Sequence, residues 1–382
     1  MSHPHPYPHR PAKRGTSPKY ARKNQNNYPK NPRRIWGRTG EGRAVGESSE
    51  FHKYCIVVVI PCYRVEREIQ SVLRSVPAYI QHIIVVDDAS PDSTADLVAA
   101  AAKEDARVLL IRHTSNQGVG GAMATGYHKA LELGAQIVVK IDGDGQMDMS
   151  YLPALLNPLI EGKADYTKGN RFRDFKSLRT MPLIRRIGNM GLAFLSKAAT
   201  GYWNLFDPTN GFSAIRSEAL AQLPLHQIDR TYYFETSMLA HLYLIGAVVK
   251  DIPMPARYQG EVSSLSIYRV LFEFPLKLMG TLIRRIVLKN FIYDFSMASI
   301  YLLTGLPLLL FGLTFGTYKW IQYVNIGVAA PTGTVMLPTL SVLLGIQLLL
   351  SAIEIDLRSV PTEPISHPHP PLAPSPKSTG KF

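Results

Sequence analysis

Short apolar runs alternate with longer mixed stretches through the first half of the chain. The runs occupy residues 54–60, 83–86, 108–111 and 137–141. Runs that do not alternate with polar residues are typical of strands buried on both faces, as in parallel sheets. The stretches between them predict helices over residues 65–76, 94–102 and 120–133. This pattern predicts a doubly wound α/β domain, in which ligands bind beyond the carboxyl ends of the strands.

Two much longer apolar runs lie nearer the C-terminus. Phe295–Tyr318 contains 24 residues without a charge, and Val335–Ile353 contains 19. Each run is long enough to cross the roughly 30 Å hydrocarbon core of a bilayer. Buried core helices would be shorter and would keep a polar face. The pattern therefore favours a two-helix transmembrane hairpin over residues 295–353.

The segment before this hairpin predicts how the protein lies at the membrane. Residues 263–294 mix apolar and basic side chains around Pro275, which predicts two amphipathic interfacial helices with their basic residues toward lipid headgroups. The connection between the spans carries only Lys319. By the positive-inside rule, this integral membrane protein would hold its large domain in the cytoplasm.

The net charge of +13 is concentrated outside the predicted α/β domain. Residues 1–50 carry 11 basic and 3 acidic residues and predict a disordered basic tail. Residues 51–262 are nearly neutral, with 22 basic and 21 acidic residues. Residues 354–382 are rich in proline and predict a second disordered tail. A basic groove on the folded body is disfavoured, so nucleic acid is not an expected partner.

Paired carboxylates follow two of the predicted strands. Asp142 and Asp144 lie in an Asp-Gly-Asp-Gly-Gln turn directly after the fourth apolar run. Carboxylates two residues apart at a strand end can project toward one cation, and Mg²⁺ or Mn²⁺ prefers such oxygen ligands. Asp87 and Asp88 follow the second run. Buried carboxylates there need cations or hydrogen-bond donors, and a nucleoside offers suitable donors.

A glycine-rich stretch opens the helix predicted after the third strand. Residues 116–122 read Asn-Gln-Gly-Val-Gly-Gly-Ala. Glycines at a helix N-terminus allow close approach, and the free N–H groups there favour phosphate. Its first glycine does not follow the strand at once, so the stretch does not match the dinucleotide fingerprint. It predicts phosphate contact without identifying the ligand.

Six short motifs follow one another in a fixed order along the chain. They occupy residues 58–63, 85–90, 116–118, 142–146, 168–172 and 207–212. Together with the C-terminal hairpin, these motifs resemble glycosyltransferase family 2, in the polyprenyl-phosphate branch that includes dolichol-phosphate mannose synthase. The resemblance implies a GT-A-type, Rossmann-like domain that binds a nucleotide sugar, followed by juxtamembrane helices and two transmembrane helices.

The resemblance also implies an activity. A hexose, with mannose or glucose expected, would pass with inversion from a GDP- or UDP-sugar to polyprenyl or dolichyl phosphate on the cytoplasmic leaflet. A divalent cation would neutralise the charge that builds on the nucleoside diphosphate as it leaves. Because the acceptor is already an anionic phosphate, a strong general base is less needed. Glu235 is expected to orient an arginine or the acceptor.

The matching motifs also imply roles for individual residues. The expected nucleotide contacts are Pro61, Tyr63, Val86, Asp88 and Asp142. The expected ligands of Mg²⁺ or Mn²⁺ are Asp142, Asp144 and Gln146. Residues expected at the acceptor or the phosphates are Arg171, Arg185, Arg186, Arg257 and Asn210. The residues expected to carry catalysis are Asp142, Asp144 and Arg171. Arg185 and Arg186 also fit solvated surface charges.

Two other functions remain open on the sequence alone. A processive polysaccharide synthase would usually carry a Gln-x-x-Arg-Trp motif, but the chain contains no Arg-Trp pair. A non-catalytic, membrane-anchored nucleotide-sugar-binding protein would not need both carboxylate pairs. Gly305, Gly312 and Gly316 in the first span could pack against a neighbouring copy, which predicts a possible homo-oligomer.

Overall fold

The computed structural model describes residues 51–170, 183–254 and 273–366, with side chains omitted for 183–190. The predicted tail at 1–50 and residues 367–382 of the second tail lie outside these ranges.

A seven-stranded sheet forms the centre of the α/β domain, in the order β3-β2-β1-β4-β6-β5-β7. Its strands are β1 (Ile56–Cys62), β2 (His82–Asp87), β3 (Val108–Arg112), β4 (Ile137–Lys140), β5 (Tyr166–Asn170), β6 (Ser213–Arg216) and β7 (Val249–Pro253). The four strands predicted from apolar runs pair in parallel, as expected. β6 runs antiparallel between β4 and β5, so the sheet is mixed. The predicted α/β fold class is confirmed.

Ten α-helices accompany this sheet in the described residues. They are α1 (Ile69–Ser75), α2 (Thr94–Glu104), α3 (Gly118–Glu132), α4 (Leu152–Ile160), α5 (Leu183–Thr200), α6 (Ser217–Ala221), α7 (Phe234–Leu244), α8 (Phe274–Val287), α9 (Met297–Ile326) and α10 (Thr332–Arg358). The three helices predicted between the first four strands are therefore present as α1, α2 and α3. A segment of π-helix, Leu288–Tyr293, joins α8 to α9.

Both faces of the sheet are covered by apolar side chains. Successive residues of β1 alternate between two core clusters: Val58 packs on one face and Val57 and Val59 pack on the other, all with no exposed surface. A continuous apolar run is what such a doubly covered strand requires, because neither of its faces meets water. The burial pattern confirms the interpretation of the apolar runs.

The two long apolar runs form α9 and α10, which pack along each other as a hairpin. Both helices are long and apolar enough to cross a membrane, and only 22% of each apolar window is buried inside the protein. A core helix of a soluble domain would be mostly buried, whereas these helices expose leucine side chains along their length. The hairpin is therefore a candidate pair of membrane spans.

The glycines of the first span serve the hairpin itself. A Cβ on Gly312 would lie 2.7 Å from Val342 and 2.8 Å from the Pro338 carbonyl, both on α10. A Cβ on Gly345 would lie 2.7 Å from the Leu309 backbone of α9. These small residues bring α9 and α10 together within one chain. The homo-oligomer therefore loses this support and stays a prediction.

Helix α8 differs from its prediction in the direction of its basic side chains. Pro275 lies in the first turn of α8, where a proline loses no helical hydrogen bond, so a separate helix before Pro275 stays a prediction. The basic side chains point toward the protein: Lys277 pairs with Asp229 at 2.7 Å, and Arg284 donates to Gln227. Apolar side chains occupy the exposed face, including Leu276, which is 75% exposed. Residues 263–272 of this segment lie outside the described residues.

The chain after the hairpin is ordered as far as residue 366. Helix α10 continues to Arg358, beyond the predicted boundary at 353. Val360 and Ile365 then pack against the core of the α/β domain, and the backbone N–H groups of Ile365 and Ser366 donate to Asp165. The prediction of disorder from residue 354 was wrong for 354–366, because apolar contacts and a buried carboxylate hold this stretch.

Candidate active site

The candidate site lies along the edge where the parallel strands end. β1, β2 and β4 present their carboxyl ends here, and β5 ends at the same edge because it is antiparallel to β6. β6 itself begins there: its first residue, Ser213, pairs with Lys140 of β4 and with Lys168 of β5. The loop before β6 therefore meets the loop after β4. This topology brings Asn210 and Gly211 next to Asp142.

A buried lysine organises the acidic turn after β4. Lys140 is 1% exposed, and its ammonium lies 2.5 Å from Asp142 Oδ1 and 3.2 Å from Glu235 Oε1. Burial alone would lower the pKa of Lys140, but the two carboxylates raise that pKa above its ordinary value. Lys140 thus stays protonated and links the turn after β4 to the first turn of α7, where Glu235 lies.

The backbone of Gly211 closes this cluster from the opposite side. A Cβ at this position would lie 2.3 Å from Asp142 Oδ2 and 2.5 Å from Lys140 Nζ. The Gly211 carbonyl also accepts from Lys140 at 3.4 Å. A side chain of any size would displace the lysine or the carboxylate, so glycine is required here for close approach.

The two carboxylates of the acidic turn suit a divalent cation whose coordination shell is completed by substrate oxygens. The Asp142 side chain is 34% exposed, and Asp144 is partly buried, with Oδ1 accepting from the Gln146 backbone at 3.1 Å. Within the described residues, no three His, Cys, Asp or Glu side chains are grouped to hold a metal. Mg²⁺ is commonly held by one or two carboxylates together with phosphate oxygens and waters, and this donor set fits that pattern.

Asp88, the second residue of the other acidic pair, makes hydrogen bonds to the loops that surround the site. Asp88 is 3% exposed and accepts from His113 Nδ1 at 2.7 Å and from the Gln117 and Gly118 backbones at 2.8 and 2.7 Å. Both of its oxygens are therefore engaged within the chain. In this structure Asp88 positions the glycine-rich stretch, which differs from the predicted contact with a nucleotide base.

The glycine-rich stretch approaches protein backbone rather than an open phosphate site. A Cβ on Gly118 would lie 2.3 Å from the Arg230 carbonyl, and one on Gly120 would lie 2.1 Å from the Asp229 carbonyl. The Gly120 N–H donates to the Arg230 carbonyl at 2.9 Å. The prediction of phosphate at this helix N-terminus was wrong, because the 229–230 loop already covers it.

The residues predicted to contact the base divide into exposed and buried groups. Tyr63 is 43% exposed, with the Arg64 guanidinium 5.3 Å from its ring centroid, and Pro61 is partly buried at the end of β1. Val86 has no exposed surface and belongs to the core against α3, so it does not line an open pocket. A polar recess of about 470 Å³ lies beside Tyr63 and is lined by Arg64, Glu66, Arg67, Glu68, Pro91 and Asp92.

Backbone strain marks both loops that border this recess. Arg64 and Ala89 have positive φ values of 59° and 58°, which are uncommon for residues with a Cβ. The Arg64 N–H donates to Ser90 Oγ at 3.2 Å, so the loop after β1 is tied to the loop after β2. Strained residues persist where surrounding contacts fix them, and they cluster at binding sites.

A third group of polar residues lies at the ends of β5 and β7. Asn210 is 5% exposed; its Oδ1 accepts from the Phe212 backbone, while its Nδ2 has no hydrogen-bond partner among the described residues. Asp251 accepts from Asn170 Nδ2 at 3.1 Å and from the Phe206 backbone at 2.8 Å. Burial raises the pKa of Asp251 above its ordinary value, against the attraction of Lys168. These groups flank the start of the 171–182 segment.

The structure does not describe the side chains of the four predicted arginines. Arg171 and Arg257 lie outside the described residues, and the side chains of Arg185 and Arg186, in the first turns of α5, are not described.

Sequence reasoning missed Lys140 and His113, although Lys140 left a signal. A lysine in the apolar run 137–141 must be paired if that run is a strand buried on both faces. Its position directly before the acidic turn identifies Asp142 as a partner. His113 gave no such signal, because its partners Asp88 and Thr125 lie 25 and 12 residues away along the chain.

Comparison with known proteins finds similarity to glycosyltransferases. The model of the family "Glycosyl transferase family 2" matches residues 57–223. A UDP-N-acetylglucosamine–dolichyl-phosphate N-acetylglucosaminyltransferase of Methanococcus voltae is 34% identical over 181 residues, covering 44% of this chain and 72% of that protein. An undecaprenyl-phosphate mannosyltransferase of Micrococcus luteus is 30% identical, covering 52% of this chain and 82% of the relative. A polyprenol monophosphomannose synthase of Mycolicibacterium smegmatis is 31% identical, covering 52% and 76%.

Among solved structures, glucosyl-3-phosphoglycerate synthase of Mycobacterium tuberculosis, in complex with Mn²⁺, UDP-glucose and phosphoglyceric acid, is 22% identical. The similarity covers 64% of this chain and 85% of that chain, with a TM-score of 0.46.

Proposed function

The chain belongs to glycosyl transferase family 2 and is a glycosyltransferase, and we propose that it transfers a hexose from a nucleotide sugar to a polyprenyl phosphate. The observation that carries this proposal is the acidic turn of Asp142 and Asp144 at the strand-end edge of a domain joined to two candidate membrane spans. Relatives named for transfer to dolichyl, undecaprenyl and polyprenol phosphates support it.

The donor is proposed to lie across the ends of β1, β2 and β4. Arg64, whose guanidinium lies over the Tyr63 ring, lines the recess beside β1, and this recess offers arginine and carboxylate side chains to a nucleotide base. The nucleoside diphosphate would then extend toward Asp142 and Asp144. Mg²⁺ or Mn²⁺, held by these carboxylates and approached by Gln146, would supply charge neutralisation for the leaving diphosphate.

The protein groups around the acidic turn act by holding charge in place. Lys140 fixes the Asp142 carboxylate through Oδ1. Glu235 is held by the same ammonium, so it is committed to positioning and is not a free base. An acceptor phosphate is anionic without deprotonation, so the reaction does not need a base at this position. Preorganised charges of this kind cost little rearrangement during the reaction.

The acceptor is proposed to approach from the side of β5 and β7. Asn210 directs a buried amide without a partner among the described residues toward this side, and Arg171 continues the chain directly after Asn170. A polyprenyl chain would remain in the bilayer beside the hairpin, with its phosphate at headgroup level. The basic residues of α8 and Leu288–Tyr293 favour the cytoplasmic leaflet for this domain.

Purified protein in vesicles is tested with GDP-mannose, UDP-glucose and UDP-N-acetylglucosamine against undecaprenyl and dolichyl phosphates. We expect a lipid-linked monosaccharide from one donor, lost with a chelator and restored by Mg²⁺ or Mn²⁺. Asp144→Ala should lower the rate at least about 100-fold. Asp96→Asn, which changes an exposed carboxylate on α2, should retain the rate of the unmodified protein.

Other products would select other functions. A polymer would identify a processive synthase, and nucleotide-sugar binding without any product would identify a non-catalytic binding protein. Full activity of Asp144→Ala, with folding verified, would reject the role given to the acidic turn.

A further inference from the structure

The cytoplasm-proximal end of α10 carries a carboxylate surrounded by donors. Asp356 accepts from both terminal nitrogens of Arg285, at 2.7 and 2.9 Å, and from Trp203 Nε1 at 3.0 Å. Lys289 Nζ lies 3.5 Å from the same carboxylate. Arg285 and Lys289 also lie over the ring of Tyr243, at 4.9 and 4.7 Å from its centroid. We name these five residues the Asp356 cluster.

The Asp356 cluster joins the end of the second span to helices of the catalytic domain and to α8. Trp203 follows α5, Tyr243 belongs to α7 of the catalytic domain, Arg285 belongs to α8, and Asp356 ends the second span. Arg285 is 2% exposed and also donates to the Ala198 carbonyl of α5 at 2.7 Å. The end of the hairpin is therefore held to the catalytic domain by a desolvated, bidentate ion pair, which is geometrically more specific than a surface pair.

A second attachment follows nine residues later, at Ile365. Asp165 has no exposed surface and accepts from the N–H groups of Ile365 and Ser366 at 3.1 and 2.9 Å, and from Val248 at 2.7 Å. Asp165 directly precedes β5, which ends at the proposed acceptor side. The chain that follows α10 is thus attached to the domain at both ends of a short stretch, residues 356–366.

Such fixing matters for one kind of acceptor. A phosphate on a membrane-anchored chain is confined to headgroup level, so the height and tilt of the domain decide whether it reaches the acidic turn. A soluble acceptor can diffuse to the same turn at any orientation. Small errors of placement far from the reacting atoms can cost about 100-fold in rate.

We propose that Asp356 is a positioning residue that holds the catalytic domain at a set height and tilt over the bilayer, so that a membrane-anchored phosphate meets the acidic turn. This inference rests on the proposed function. It assigns to the end of the second span a part in acceptor selection that extends beyond anchoring.

The test compares two acceptors on the full chain in vesicles. Asp356→Asn should lower kcat for undecaprenyl phosphate roughly 10- to 100-fold, while turnover of a water-soluble, two-isoprene prenyl phosphate changes less than about twofold. The KM for the nucleotide sugar should stay unchanged. The matched control is Glu354→Gln, half a turn away, which removes only the exposed pair with Arg358 and should leave both acceptors unaffected.

A readout independent of catalysis accompanies the kinetics. Amide hydrogen exchange at Ile365 and Ser366 should accelerate in Asp356→Asn, with exchange in β1 and β4 unchanged. Equal losses on both acceptors, or no loss on either, would overturn the proposal. If Asp356→Asn does not fold, Trp203→Phe, which removes one donor and keeps a ring, is held to the same split between acceptors.

If the proposed function itself is wrong, the same experiments give a different result. The unmodified protein would then transfer sugar to neither acceptor, and the exchange data would decide the inference alone. Unchanged exchange at Ile365 and Ser366 in Asp356→Asn would show that the cluster does not control the attachment.

Discussion

Lys140→Met is the substitution whose consequences follow most directly from the structure. Methionine keeps much of the length and apolar volume of lysine but removes the ammonium. Asp142 and Glu235 would then lose the cation that lies 2.5 and 3.2 Å from them. Two carboxylates would face each other across a buried cavity with no charge between them.

The magnitude follows from burial and exposure. Removing one partner from a buried ion pair typically costs about 3–5 kcal/mol. Asp142 is 34% exposed and Glu235 is 15% exposed, so water can solvate part of the uncovered charge. We therefore expect a loss near the lower end, about 3 kcal/mol, which a domain of ordinary stability survives. Because Asp142 also loses its orientation, kcat should fall about 100-fold.

Chemical denaturation of the detergent-solubilised protein measures the stability, and initial rates measure the turnover. The control is Lys163→Met, which breaks an exposed pair with Glu161 and should change neither quantity. Adding Glu235→Gln to Lys140→Met should recover part of the stability, because one uncompensated carboxylate is removed. A stability loss below about 1 kcal/mol together with unchanged kcat would refute the reasoning.

Three further predictions concern other parts of the site and its support. Gly211→Ala should lower kcat at least about tenfold, because the new Cβ would collide with Asp142 and Lys140, whereas Gly191→Ala, with no atom within 4 Å, should not. Ala89→Gly should raise the free energy of unfolding by about 0.5 kcal/mol, since relief of the positive φ exceeds the added chain entropy. Hydrogen bonds from Lys277 and Thr231 outweigh burial and hold the pKa of Asp229 below its usual 3.8. Its stabilisation is complete above that value and is lost as pH falls through the lower folded pKa, so the destabilisation caused by Asp229→Asn should be full at about pH 6 and should decrease as the pH falls below 3.8.

Each of these predictions has an opposing outcome. Undiminished turnover of Gly211→Ala would mean that Asp142 and Lys140 can shift to admit the new Cβ without lowering the rate. A destabilised Ala89→Gly protein would mean that the methyl group contributes contacts that outweigh the strain. An Asp229→Asn effect that persists unchanged into acid would assign its stability to hydrogen bonds rather than to charge.

The parallel strands β1 to β4 were predictable because burial on both faces leaves a continuous apolar run, whereas the parallel pair β5 and β7 carries no such run. The antiparallel β6, with only Ser213–Arg216 in its ladder, carries no such run and depends on neighbours distant along the chain. The two long apolar runs also identified the hairpin, because the thickness and apolar character of the bilayer determine the length and composition of a spanning helix. They did not show that α10 extends to Arg358, because the charge on Asp356 at that end is paired by Arg285, which is distant along the chain.

The acidic turn lies at the strand-end edge as the motifs predicted, but several neighbours that the motifs imply as ligand contacts make their contacts within the chain. Asp88, Val86 and the glycine stretch stand where ligand contacts were expected, yet they hold the site together from behind. A linear motif reports which residues gather at an edge. It does not report which of them face the ligand, since that depends on the direction each loop leaves its strand.

The reversed direction of β6 has a consequence for how the enzyme could diversify. Most residues at the strand-end edge come from loops that follow a strand, but the 207–212 loop precedes one. In the proposed function, the donor is held by loops that follow strands, whereas the acceptor side includes a loop that precedes β6. Gly211 must keep its place against Asp142, but changes in length before Asn210 would remodel the proposed acceptor side without moving the loops after β1 and β2. Such a layout lets one scaffold accept new recipients while its sugar supply stays the same.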